Sequence, residues 1–354
     1  MRILIVKLGS IGDVVHTLPA LAAIRRGLPE AEISWVVEKS AAEILRENEL
    51  LDRLIEVDTR SPRKGKIDDL VPQVRIQLGE LRKSKYDVAI DFQGLLKSGT
   101  IAKLSGAKKR WGFGRRDLRE PASRVFLTDT VSIEPQTNVI RKNLLLAETA
   151  LGLPAGDSRL EFPIHTLETH RREAAEIASQ TSGRFALLNP AGGWVTKLWP
   201  AENFGRLADM LQRELGLASV VVTGPGEGAL ADRVRAGGRS AIPFFAAPSL
   251  KGLYELAKMS SVYLGGDTGP THLAVAAGAP VVGLFGPTEW WRNGSPRPED
   301  ICVERPDIGC RVDCHRRTCS NWICMDIDVN TVFKAVKTRI ERTEHIAQAS
   351  QTRR

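Results

Sequence analysis

The chain has 354 residues, 42% of them hydrophobic, enough for two packed cores rather than one. Its apolar runs are short and broken by glycine, proline or charge, and M-R-I-L-I-V-K enters a strand pattern with no signal peptide; this predicts a cytoplasmic protein without a spanning helix. A net charge of +8 with a pI near 9.3 points to anionic partners (nucleotide phosphates, an acidic glycolipid, a membrane surface), while 6% aromatic content and no nucleic-acid motif argue against nucleic acid.

Arg2–Lys7 is dense in Ile, Leu and Val, as a central parallel strand is. Leu8-Gly9-Ser10-Ile11-Gly12-Asp13 then forms a tight loop into a helix expected to run through Arg26. This G-x-x-G-D is not the G-x-G-x-x-G dinucleotide fingerprint, which weakens a nicotinamide reading. Strand Ile33–Val37, helix Ala41–Asn48, strand Arg53–Val57, helix Ile67–Lys83 and strand Asp87–Asp91 continue the alternation, and Phe92-Gln93-Gly94 feeds a helix from Leu95 that Gly106 ends. Two basic loops stand out, Thr59–Lys66 and Lys108–Arg119. Either alone reads as a solvated face. Each follows a strand of one parallel sheet, however, and such loops gather on the edge where open α/β sheets bind ligands.

After the amphipathic helix Asn138–Leu151, Pro154–Pro163 reads as a linker and the pattern restarts. Helix Leu167–Thr181, strand Phe185–Asn189, the Pro190–Gly193 turn, helix Ala201–Leu215, strand Ser219–Thr223, the loop Gly224–Gly228 and helix Leu250–Met259 follow. Ser261–Gly265 then reads as a buried strand, Asp267-Thr268-Gly269-Pro270 as the turn opening a short helix that Gly278 stops, and Val281–Phe285 as a second buried strand. The first turn of that helix, with Pro270 at its first position, aims unpaired N–H groups and the positive end of the dipole at a bound anion. On spacing alone, Asp267 as a cap and His272 as packing is an equally open reading. Val329–Thr343 reads as a last amphipathic helix ahead of a polar tail. Two runs of βα units imply an α/β protein of two Rossmann-like parallel-sheet domains facing across a cleft, residues 1–160 and 161–328, with a helix over 329–346 and a tail over 347–354.

All five cysteines lie between Cys302 and Cys324. Cys310, Cys314, Cys319 and Cys324 are spaced C-x3-C-x4-C-x4-C, with His315 and Met325 nearby. In a chain without a secretion signal such clustering favours thiols or a metal knot over a disulfide framework, although zinc knuckles usually show C-x2-C pairs. The expected role is structural, pinning the segment before the last helix.

Four stretches in this order and spacing resemble glycosyltransferase family 9, the bacterial heptosyltransferases of lipopolysaccharide inner-core synthesis. They are K-L-G-S-I-G-D-V-V-H-T-L-P-A-L at Lys7–Leu21, D-F-Q-G-L-L-K-S at Asp91–Ser98, T-K-L-W-P at Thr196–Pro200 and G-D-T-G-P-T-H-L-A at Gly266–Ala274. W-V-V-E at Trp35–Glu38 and R-E-P at Arg119–Pro121 resemble the members that act on Kdo-lipid A. The resemblance implies a GT-B fold with the last helix crossing back to the first domain. It further implies inverting transfer of L-glycero-D-manno-heptose from ADP-heptose to the anionic Kdo/inner-core acceptor, with no catalytic metal or other cofactor, by an enzyme peripheral on the inner face of the inner membrane. Carried over residue by residue, Asp13 matches the base, Lys197 the lysine at the donor phosphates and Glu227 the acid that holds the ribose. Asp267, Thr268, Gly269 and His272 match the donor-phosphate and sugar loop, and Arg60, Arg63, Lys64 and Arg119 match cations assigned to the acceptor. Gly192 and Gly193 stand where the closest members carry hydroxyl residues, so backbone amides take over any phosphate contact there. Asp13 also reads as the cap of its own helix. Rival readings are a later heptose transfer with another acceptor or donor, a nucleotide-sugar binder without transferase activity, and an epimerase of similar form; having both Asp13 and Lys197 argues against a dead binder.

Overall fold

The computed structural model describes every residue except 59–78, 80, 156–158, 182, 225, 312–313, 315 and 353–354. The chain divides into two compact units, Met1–His165 and Thr166–Arg354. Each is built on one six-stranded, all-parallel sheet, as the α/β reading expects.

In the first unit β1 (Arg2–Val6), β2 (Glu32–Glu38), β3 (Arg53–Val57), β4 (Val88–Asp91), β5 (Lys109–Phe113) and β6 (Asp129–Val131) lie in the order β3-β2-β1-β4-β5-β6. Ile5 of β1 sits opposite Trp35 on one side and Ile90 on the other. Helices on the faces cover the sheet, so Ile3, Leu4, Ile5 and Val6 are wholly buried. The second unit repeats this arrangement. Its strands β7 (Phe185–Asn189), β8 (Ala218–Val222), β9 (Phe244–Ala246), β10 (Val262–Gly266), β11 (Val281–Leu284) and β12 (Ile301–Val303) lie in the order β12-β11-β10-β7-β8-β9. Leu188, Val221, Leu264, Val282 and Phe204 belong to its core.

Several elements differ from the sequence reading for identifiable reasons. The helix expected through Arg26 is two helices, Ile11–Val15 and Leu18–Gly27, because Pro19 has no N–H to continue the first. The helix expected over Ala41–Asn48 shrinks to Lys39–Ala42, and Glu47 turns into the left-handed region. Five residues of the basic stretch Lys108–Arg119 are not loop at all: Lys109–Phe113 pairs with β4 as β5. The helix expected over Ile67–Lys83 lies almost wholly outside the described residues, as do Arg60, Arg63, Lys64 and His315.

The last helix runs from Val329 to Thr352, through most of the expected polar tail, since no Gly or Pro interrupts a stretch rich in Glu, Arg, Ala and Gln. Its Val332, Val336 and Ile340 join the core of the second unit. Arg339 on the same helix is buried against Asp300 at 2.8 Å. Among the described residues no helix is long and apolar enough to cross a membrane.

Candidate functional site

In each sheet the strand order reverses between two central strands, and an open α/β sheet binds its ligands beyond the strand C-termini at such a point. The reversals fall between β1 and β4 in the first unit and between β7 and β10 in the second. The loops leaving these strands carry four of the expected residues: Asp13, Lys197, Asp267 and His272.

In the first unit the Ser10 amide donates to the Asp13 carboxylate at 2.8 Å, the capping bond expected of a helix start. Capping does not exhaust the carboxylate. Lys7 lies 3.5 Å from one oxygen and Arg119 3.6 Å from the other. Burial alone would raise the Asp13 pKa; the charge of Lys7, then that of Arg119, and the Ser10 amide outweigh it and hold the carboxyl below its ordinary value. Lys7 is buried and donates to the Phe92 carbonyl at 2.9 Å. Burial depresses its own pKa, and Asp13 works against that. The amide oxygen of Gln93 accepts from the Leu8 and Gly9 amides at 3.1 and 3.3 Å, which ties the loop after β4 to the loop that carries Asp13. Gly94 makes this loop possible: its φ is +70°, and a Cβ there would stand 3.1 Å from Leu118.

Behind Lys7, Asp91 is wholly buried and accepts from the Gln93 and Gly94 amides and the Ser98 hydroxyl at 2.9, 3.1 and 2.9 Å. Burial outweighs these bonds and pushes its pKa up to about 6. The folded protein therefore binds this proton more readily than the unfolded chain, so the Asp91 contribution to stability rises as pH falls from about 6 towards the ordinary carboxylate value of 3.8. Asp91→Asn keeps both amide bonds, and thermal melts should show it losing that gain between pH 6 and 4.

In the second unit Lys197 donates to Asp267 at 2.6 Å, with side-chain exposures of 14% and 4%. His272 meets the other Asp267 oxygen at 3.2 Å, and Asn293 donates to the carboxylate at 3.3 Å. Burial would raise the Asp267 pKa, but His272 and the Lys197 ammonium hold it far below the carboxylate range. The Lys197 ammonium also lies 4.3 Å from the Trp194 ring centroid. Thr268 is the N-cap of helix Gly269–Ala276, with Pro270 in its first turn, and receives a bond from Asn189 at 3.2 Å. Gly266 lets the Lys197 backbone lie against β10, since a Cβ would stand 3.0 Å from its carbonyl. Gly192 has Leu198 and Thr268 within 3.0 Å of where a Cβ would be, whereas Gly193 faces open space.

Glu227 is turned back on its own loop. It caps helix Gly228–Gly237, and its carboxylate accepts the Gly224 amide.

The four cysteines are free thiols, and together with Thr196 and Pro287 they line one small cavity. Burial, and then the neighbouring Cys314, Cys319 and Cys310, push the Cys324 thiol up. Among the described residues no three His, Cys, Asp or Glu stand together at metal-binding spacing. The segment is tied to the residue before Lys197: the Thr196 hydroxyl donates to the Arg316 carbonyl at 2.6 Å, and the Trp322 indole donates to the Thr196 carbonyl at 3.1 Å. Thr196→Val should cost about 1–2 kcal/mol of stability, the worth of a buried hydrogen bond whose acceptor loses its partner. Melting curves check it.

Sequence reasoning missed Lys7, Asp91, Gln93, Asn189 and Asn293. The first, second and fourth sit at or beside strand ends within apolar runs, where only the topology reveals that they meet.

Comparison with known proteins agrees with this layout. The model of glycosyltransferase family 9 (heptosyltransferase) matches residues 76–322. Lipopolysaccharide heptosyltransferase 1 of Pseudomonas aeruginosa is 32% identical over 334 residues, covering 90% of this chain and 88% of the relative. The structure of E. coli heptosyltransferase WaaC with ADP superposes at a TM-score of 0.77 and 24% identity, over 96% of this chain and 100% of that one. The same enzyme with ADP-2-deoxy-2-fluoro heptose gives 0.73 and 23%, over 97% and 100%. These neighbours place the two Rossmann-like units in the GT-B class, and the family match sets the epimerase reading aside. The chain belongs to glycosyltransferase family 9 and is a heptosyltransferase of the lipopolysaccharide core.

Proposed function

We propose that this enzyme moves L-glycero-D-manno-heptose from ADP-heptose to the Kdo/inner-core acceptor of lipopolysaccharide, with inversion and without a catalytic metal. The observation that carries the reading is the Lys197–Asp267–His272 cluster at the start of helix Gly269–Ala276, at the switch point of the second sheet. Cleaving a sugar–phosphate bond puts negative charge on the departing diphosphate. An ammonium beside a helix N-terminus stabilises that charge, the role a divalent cation plays elsewhere. Neighbours named for ADP and for an ADP-fluoroheptose support an ADP-sugar donor.

The first unit supplies the other half of the chemistry. Asp13 takes the proton of the attacking hydroxyl, and Arg119, with Arg60, Arg63 and Lys64, receives the acidic sugar and phosphates of the acceptor. The net charge of +8 favours residence at an anionic leaflet, here the inner face of the inner membrane. Glu227 reaches the ribose by releasing the Gly224 amide, and Gly192 and Gly193 offer backbone amides to the phosphates. The four-cysteine segment has a structural role, holding the Lys197 loop.

Product analysis tests the proposal: ADP-heptose and deacylated Kdo-lipid A should give a heptosylated product of inverted anomeric configuration in the presence of a chelator, and UDP- and GDP-sugars should give none. Transfer only to an acceptor that already bears heptose would replace this reading with that of a later heptosyltransferase.

A further inference from the structure

Lys7 and Arg119 both face Asp13, but only one of them can leave. Lys7 is 4% exposed and its ammonium is fixed by the Phe92 carbonyl. The Arg119 side chain is 54% exposed and stands 3.6 Å from the carboxylate, while its backbone packs beside Gly94. Among the described residues His16 also faces Asp13, and Asp91 faces Lys7 from behind. Among them Asp13 thus has one buried, permanent cation and one exposed, movable cation.

We propose that Arg119 is a shared cation, exchanging Asp13 for the carboxylate of an acidic-sugar acceptor, so that acceptor binding itself makes Asp13 a stronger base. This rests on the reading of Asp13 as base and Arg119 as an acceptor residue. A carboxylate held below its ordinary proton affinity is poorly matched to a sugar hydroxyl. Drawing the guanidinium onto the acceptor's own negative charge cancels its field at Asp13, while Lys7 keeps the carboxylate ionised and in place. In the transfer step the acceptor oxygen forms the new bond to the anomeric carbon, its proton passes to Asp13, and ADP leaves with the electron pair of the broken C–O bond. An uncharged acceptor would leave the Arg119–Asp13 pair intact and react slowly even when bound. Selection for an acidic acceptor then operates on the chemical step as well as on binding.

The test is a 13C NMR titration of the Asp13 carboxyl in the full-length protein, assigned by its loss in Asp13→Asn. Free Kdo should raise the proton affinity of Asp13 by roughly tenfold, the scale of losing one close opposite charge, and Kdo methyl ester should leave it unchanged. In Arg119→Gln the affinity should already be raised, and Kdo should add nothing. In steady-state kinetics the acid limb of kcat should lie at higher pH than that of kcat/KM in the wild type, and the two should merge in Arg119→Gln. Kdo that binds, by its amide shifts, and leaves the Asp13 titration unmoved overturns the exchange. A titration that moves while Asp13→Asn keeps full turnover upholds the exchange and removes the base assignment instead.

Discussion

Asp13→Asn should lower kcat by roughly 10²–10⁴-fold, the usual worth of a positioned acid or base, while ADP-sugar binds with near wild-type Kd. The substitution separates the capping bond that Asp13 makes from the base role proposed for the same carboxylate. The amide oxygen of Asn can still accept the Ser10 N–H, so the helix start at Ile11–Val15 is preserved. It cannot take a proton, and it removes the nearest counter-charge of the buried Lys7. Some loss of melting temperature is therefore expected, which is why turnover and stability are to be read together. Asp13→Ala removes the cap as well and should melt lower than Asp13→Asn. If Asp13→Asn turns over at the wild-type rate and Asp13→Ala is merely less stable, Asp13 is a helix cap and the base lies elsewhere.

Lys197→Met should harm the enzyme in two separable ways. The partner carboxylate of Asp267 is nearly inaccessible, and without the ammonium it keeps, among the described residues, His272 and Asn293. Breaking a buried pair from one side costs about 3–5 kcal/mol. Donor affinity should also fall, and kcat by roughly 10²–10³-fold, because the lysine's charge matters more as the diphosphate departs. The double variant Lys197→Met/Asp267→Asn removes the stranded charge, and should recover melting temperature without recovering rate. Asp267 also sets a pH signature. Its pKa is depressed in the folded state, so its stabilisation is complete above the ordinary carboxylate value of 3.8 and is lost as pH falls below it. The double variant should lack that acid-side loss. Restored turnover in the double variant would reduce Lys197 to a structural partner of Asp267.

The central strands were legible because strands buried on both faces are dense in apolar residues, as in R-I-L-I-V of β1 and F-A-L-L-N of β7. The edge β3 was legible too, at Arg53–Val57, but four other strands were not: β6, β9 and β12 are three residues each, too short to show a period, and β5 reads K-R-W-G-F, whose two leading cations mask a strand. The break at Pro19 was readable from the residue itself and was overridden by an otherwise continuous apolar pattern. In the site, Asp13 and Asp267 stand in glycine-marked turns and could be picked out by position, whereas Lys197 was named through the T-K-L-W-P stretch of the family resemblance. Lys7 is a cation at the end of an apolar strand, and its meaning exists only once β4 lies beside β1 and brings the Phe92 carbonyl to it. Glu227 was named through the family resemblance, but nothing in a sequence tells which way a carboxylate turns.

The strand order also has a consequence for how the protein can be made and trimmed. In each unit the first strand synthesised is an inner one: β1 has β2 on one side and β4 on the other, and β7 has β8 and β10. Neighbours are added outward on one flank and then on the other, so no half of a unit closes before its first strand is in place. Deleting residues 2–6 should split the first sheet through its middle and leave nothing to fold around, even though it removes only five residues. Shortening the outer strand β12 removes one rim of a sheet that is otherwise intact. An affinity tag placed ahead of Met1 must therefore leave Arg2 free to pair with Glu32.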